Sequence, residues 1–231
     1  MSILPPPIAK VVFLTIDLLK NPRSFLISMR YVKFRDALKL PIKVAHGFKI
    51  ENHGGRIIFD TPYVAKGMLQ LGYSGTGDPT VHPGSWLMLK GSRIIIRGHV
   101  FMSRSTHVRC GENATIIIGD QFWCNNHCYF VASPCTKLEF KSQVLIGWNV
   151  DINTYDGHDI ILNNQKINKP GDITIGQHVW IGSHCIIAKG VEIQNDCVVA
   201  RNSMVLKSIE SSHIIIGGSP ARILKNDIQW K

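Results

Sequence analysis

The side chains able to do chemistry fall into a few groups. His158 lies in the segment Asn153-Thr-Tyr-Asp-Gly-His158-Asp-Ile-Ile-Leu-Asn-Asn-Gln-Lys-Ile-Asn-Lys-Pro170-Gly, which is polar and rich in turn formers. An imidazole titrating near about pH 6.5 is suited to take up and return a proton at neutral pH. Cys124, His127, Cys128 and Cys135 form the closest Cys/His grouping. Their spacing is not that of a standard structural zinc site, and small buried core residues are the better fit. No two cysteines form a CxxC pair, and six in a chain of this size agree with a reducing compartment. A metal is therefore not expected.

The elements that must position these groups are legible as a repeat. Ile175, Ile181, Ile187, Ile193, Val199 and Val205 are spaced by six without a gap. A second column follows each by four: Val179, Cys185, Val191, Cys197, Ser203 and Ile209. The period recurs upstream as Ile96, Met102, Val108, then Ile118, Cys124, Phe130, then Phe140, Ile146, Ile152. Each restart comes ten residues on, so four extra residues enter at a corner. Gly follows the key Ile at Gly119, Gly147, Gly176 and Gly182.

A period of six fits neither a helix face nor an alternating strand. It fits a short strand plus a tight turn, three units closing one triangular coil of about 18 residues. Stacked coils put the aliphatic side chains in columns and pair each backbone group with the coils above and below. The period fails between Ile152 and Ile175, where a loop leaves the coil. Long loops thrown out of a scaffold often carry function.

Composition supports this class. The chain has 231 residues, 45% hydrophobic and 18% charged, enough for a real core. Ile and Val number 47, an excess that favours strands. The net charge is +10, and residues 1–43 hold six of those ten charges. Basic residues there interleave with apolar ones, which reads as one or two amphipathic helices broken near Asn21 and Pro22. Such a segment either touches an anionic membrane surface or packs on the main domain with a solvated basic face. The apolar stretch Ile8 to Leu19 is too short to span a bilayer, and no cleaved leader is expected. No basic recognition face with interleaved aromatics points to nucleic acid.

Four stretches carry a resemblance to a known family. They are Ile146-Gly-Trp-Asn-Val-Asp-Ile-Asn-Thr-Tyr-Asp-Gly-His158, Ile175-Gly-Gln-His-Val-Trp180-Ile-Gly-Ser183, Lys189-Gly-Val, and Gly217-Gly-Ser-Pro220-Ala-Arg222-Ile-Leu-Lys225. In order and spacing these resemble the hexapeptide-repeat acyltransferases, including galactoside and maltose O-acetyltransferases and those of capsule and O-antigen clusters. The resemblance implies an all-β, left-handed parallel β-helix; the hand comes from it and not from the period, since crossovers are normally right-handed. The expected layout is a basic amphipathic segment over 1–45, irregular first coils over 46–90, the β-helix over 91–216 with its loop at 153–172, and a cofactor-contacting tail over 217–231.

The resemblance also implies roles. His158 is placed as the general base, with Asn125 toward the acceptor and Asp156 either holding the imidazole ring or binding the acceptor. Family members often carry an acidic residue where this chain has Thr154. Trp180 is expected along the pantetheine arm of acetyl-coenzyme A. Ser183 and the backbone near Arg201 are expected to bond the cofactor, and Lys207, Arg222 and Lys225 to meet its phosphates and adenine. The implied partners are two further copies, as a homotrimer, and a sugar or lipid-linked saccharide. The implied place is the cytoplasm, with a peripheral contact at the inner membrane face as an option. Competing readings are an N-acyltransferase on an aminosugar nucleotide, acetylation of a small soluble acceptor or antibiotic, and a silent β-helix scaffold. The three-His zinc set of the related γ-class carbonic anhydrases needs a pair five apart. The nearest pair, His178 and His184, is six apart and is expected to stack on neighbouring rungs.

Overall fold

The structure is a computed structural model that describes residues 18–74 and 82–231. The first seventeen residues of the basic segment and residues 75–81 of the glycine-rich stretch lie outside the described residues. Strands take every third place in three sheets that are parallel apart from the last strand of one of them, so each turn of chain contributes one strand to each face. A nine-strand sheet runs from Ile42–Val44 to Ala221–Lys225, a seven-strand sheet from Lys49–Asn52 to Met204–Val205, and a six-strand sheet from Arg56–Phe59 to Glu192–Ile193. The fold is a left-handed parallel β-helix.

The sixfold residues face inward. Ile96, Ile118, Phe140, Ile175 and Ile193 stack in one column. Met102, Cys124, Ile146, Ile181, Val199 and Ile216 form the second, and Val108, Phe130, Ile152, Ile187 and Val205 the third. None is more than 2% exposed. A fully buried Ile or Val contributes about 1.5–3 kcal/mol relative to exposure, so these columns dominate the stability of the prism.

The chain turns from the nine-strand to the seven-strand sheet at a first edge, then to the six-strand sheet at a second. Val108 to Ile118 and Phe130 to Phe140 both cross the second edge, so the four extra residues of each lower coil enter there. The loop between Asp151–Asn153 and Ile173–Ile175 leaves from the same edge, and carries a small antiparallel hairpin, Ile161–Leu162 with Gln165–Lys166.

Residues 46–90 supply strands Lys49–Asn52, Arg56–Phe59, Leu69–Tyr73 and Gly84–Met88, each in register with a strand above it. Below them, helix Pro22–Tyr31 starts with Pro22 in its first turn, where a missing N–H costs nothing. Its buried residues are serines. Ser24 and Ser28 accept hydrogen bonds from the N–H groups of Val44 and Ile42, at 3.0 and 3.3 Å, and so satisfy the edge strand of the prism. Arg23 donates to the carbonyls of Ala45 and Phe48.

Candidate active site

The first edge carries a long apolar groove of about 790 Å3. Its floor is backbone, because glycine follows the buried Ile in successive coils. A Cβ on Gly147 would lie 2.6 Å from the Ser183 nitrogen, and one on Gly182 2.7 Å from that of Arg201. Such approaches exclude any side chain, so the coils close together and leave the edge bare. Trp180, Trp148 and Trp123 form the walls and are 40–45% exposed. Asn125 lines the groove and its amide donates to the Ile146 carbonyl at 3.2 Å. The Ser183 hydroxyl accepts from the Trp148 N–H at 3.1 Å. Arg201 is exposed at the rim and makes no ion pair among the described residues.

The structure thus gathers Asn125, Trp180, Ser183 and Arg201 at one place. Arg222 and Lys225 lie on the antiparallel return strand Ala221–Lys225, opposite Gly217 and Ile215, at the end of the same sheet. Both are exposed and unpaired among the described residues. Lys207 does not join them. It follows strand Met204–Val205 and so stands on the second edge.

His158 and Asp156 belong to that second edge. The loop is pinched at its base, where the Gly171 N–H donates to the Thr154 carbonyl at 2.9 Å. Thr154 is fully buried. Its hydroxyl accepts from the Ser133 N–H at 2.8 Å and bonds the Thr136 hydroxyl at 2.7 Å. Thr154, where the resemblance leads to an acidic residue being expected, is therefore an uncharged knot between coils.

Above the knot the loop is organised by Asn168, 6% exposed. Its amide donates to the His158 carbonyl at 2.7 Å and to the Asp156 carboxylate at 3.0 Å, and its oxygen accepts from the Ile160 N–H at 2.6 Å. Lys189 pairs with the same carboxylate. The Lys189 ammonium, then Asn168, holds the Asp156 carboxyl below its ordinary range. The His158 side chain is exposed, with its ring nitrogens free of hydrogen bonds. The geometry fixes the backbone of the histidine and leaves its ring open to a partner.

The model of the bacterial transferase hexapeptide (six repeats) matches residues 172–207. Over that stretch the chain is similar to the hexapeptide-repeat transferases. The chain is 32% identical over 117 residues to the galactoside O-acetyltransferase of Escherichia coli, covering 48% of this chain and 54% of that one. It is 34% identical over 142 residues to a 24.8 kDa protein in the cps region of Klebsiella pneumoniae, described as uncharacterized, covering 59% of this chain and 60% of that one. The chain thus spans little more than half the length of these relatives. Among solved structures, that of the polySia-specific acetyltransferase NeuO superposes with a TM-score of 0.51 at 20% identity, covering 81% of this chain and 90% of that one.

Sequence reasoning missed Asn168 and gave Lys189 no role. Both are ordinary polar residues whose partners lie at least eight positions away, so no local spacing signals them. His178 and His184 do not stack on neighbouring rungs. They occupy successive corners of one coil, with φ of 55° and 59°, because rungs repeat every 18 residues rather than every six. The His178 Nδ1 meets Asp196 at 2.8 Å, one coil on, and its ring stacks on Trp230 at 4.0 Å. Cys124 and Cys128 are buried in the prism, as small core residues should be, while Cys135 is exposed at a corner.

Proposed function

We propose that this chain transfers an acetyl group from acetyl-coenzyme A to a hydroxyl of a sugar, in cell-surface polysaccharide biosynthesis. One observation carries the reading: a bare, tryptophan-walled groove with unpaired cations toward its end, and a braced loop presenting an open imidazole on the next edge of the same prism. The identity to a galactoside O-acetyltransferase and to a protein of a cps region supports it.

The groove, lined from Trp123 to Arg201 across successive coils, takes the thioester arm. Trp180 flanks it, Ser183 and Arg201 bond it, and Arg222 and Lys225 meet the phosphates. His158 takes the proton of the acceptor hydroxyl. The freed oxygen attacks the thioester carbonyl, a C–O bond forms, the C–S bond breaks, and the proton passes from the imidazole to the departing thiolate. Asn125 and Asp156 contact the acceptor.

The groove and the histidine stand on different edges, so one protomer does not place the base at the thioester. A homotrimer does, each copy laying its loop against the groove of its neighbour, where Lys207 also joins the cationic end. The exposed column Trp123, Leu145 and Trp180 on the nine-strand sheet supplies apolar surface for that contact. Thiol release with a panel of sugar acceptors tests the reading. His158→Ala should lower the rate by about 10² to 10⁴ with the fold intact, and a mutant equal to wild type would remove the assignment.

The N-terminal segment supports a peripheral contact with an anionic membrane. Its serines face the prism, while Leu19, Leu26, Met29 and Phe34 are exposed beside Arg30, Lys33 and Arg35. Among the described residues no helix is long and apolar enough to cross a membrane. The full chain should float with vesicles containing acidic phospholipid and lose that in Leu26→Ser/Phe34→Ser. Failure of the full chain to float would contradict the contact.

A further inference from the structure

A second groove, of about 350 Å3, lies against the base of the loop. That size is within the range of small-ligand clefts. Tyr129 and Tyr155 supply aromatic surface, Asn153 and Ser133 add polar groups, and Gly157, the residue before His158, also lines the groove. Arg109 is the one charged side chain in the lining. It points outward from strand Thr106–Cys110, is exposed, and makes no ion pair or hydrogen bond through its guanidinium among the described residues.

The carboxylates nearby are already engaged or lie outside the lining. Asp156 is held by Lys189 and Asn168. Asp159 pairs with Lys166 at 2.7 Å and accepts from the Tyr155 hydroxyl. Asp151 is opposite Tyr129 in the sheet and does not line the groove. An arginine without a counter-charge, in a groove free of carboxylates, is a receptor for a planar oxyanion. The flat, amphipathic tyrosine rings suit the apolar face of a sugar ring.

We infer that this groove binds a carboxylate-bearing sugar of the acceptor, making the acceptor an acidic saccharide. The inference rests on the proposed acetyl transfer for the reaction that follows, but the binding itself rests on Arg109 and its groove. Calorimetric titration with oligosialic acid and with oligogalacturonate, each beside its carboxyl-reduced form, tests it without turnover. Wild type should bind at least one carboxylated oligomer about tenfold more tightly than its reduced form, and added salt should shrink the difference. Arg109→Ala should bind both forms alike, with Arg109→Lys retaining part of the preference.

Equal binding of both forms of both oligomers to wild type, or an undiminished preference in Arg109→Ala, overturns the inference. Thiol release measured in parallel separates the two claims. If a neutral acceptor is acetylated as fast as an acidic one, the inference fails and acetyl transfer stands. If an acidic oligomer binds through Arg109 and no acceptor releases thiol, the transfer fails and the groove stands.

Discussion

Along the first edge of the prism, successive strands are joined by turns so tight that Gly147 and Gly182 lie within van der Waals contact of the next coil. Along the second edge the same coils take in four extra residues twice, and then an entire loop closed at Thr154 and Gly171. Both edges rest on the same buried columns, so the scaffold does not distinguish them. What differs is what the sequence adds outside. One edge is stripped to backbone and can lie against a long ligand. The other is built outward and can carry a side chain to a distance. A repeat fold can separate binding from chemistry in this way without altering its core.

The bare edge should be the easier one to break. Gly182→Ala forces a Cβ to within 2.7 Å of one backbone nitrogen and 2.9 Å of the Val199 carbonyl oxygen. Backbone on both sides leaves little room to relax, and overpacking of this kind costs about 1–3 kcal/mol. Urea unfolding should show that loss, with a raised KM for acetyl-coenzyme A; an unchanged midpoint would mean the coils have slack. The built edge should respond differently. Asn168→Ala removes three hydrogen bonds from the loop and none from the columns. Turnover should fall by up to about 100-fold, the scale of a 1 Å misplacement, while global unfolding should change by less than the about 1–3 kcal/mol of the bare-edge variant, because the loop can open without disturbing the columns. A large stability loss instead would make the loop part of the core.

The columns were legible in the sequence because a buried position on a β-helix repeats every strand and turn. Ile175 to Val205 announce them directly, and the failure after Ile152 marks the loop. The lower coils were not legible. Ile42 pairs with Leu69 and Leu69 with Val100, so coil length changes from turn to turn and no fixed period survives. The use of Ser24 and Ser28 against the edge strand was hidden as well, since an amphipathic pattern points to apolar residues as the buried face. At the site, the groove residues were recognisable from their motifs. Their separation from His158 was not, because position within the repeat sets the edge only once the register is known. Asn168 was silent for the same reason: its partners meet it only after the loop has closed.

The central claim is that a groove from one copy and a histidine from another make one site. Mixing two inactive forms of the chain tests it most directly, one carrying His158→Ala and the other Trp180→Ala with Arg201→Glu. After subunit exchange, about one quarter of the interfaces in an equal random mixture should join an intact loop to an intact groove, and activity should return to about that fraction of wild type. No recovery, with mixed trimers demonstrably present, would contradict the account.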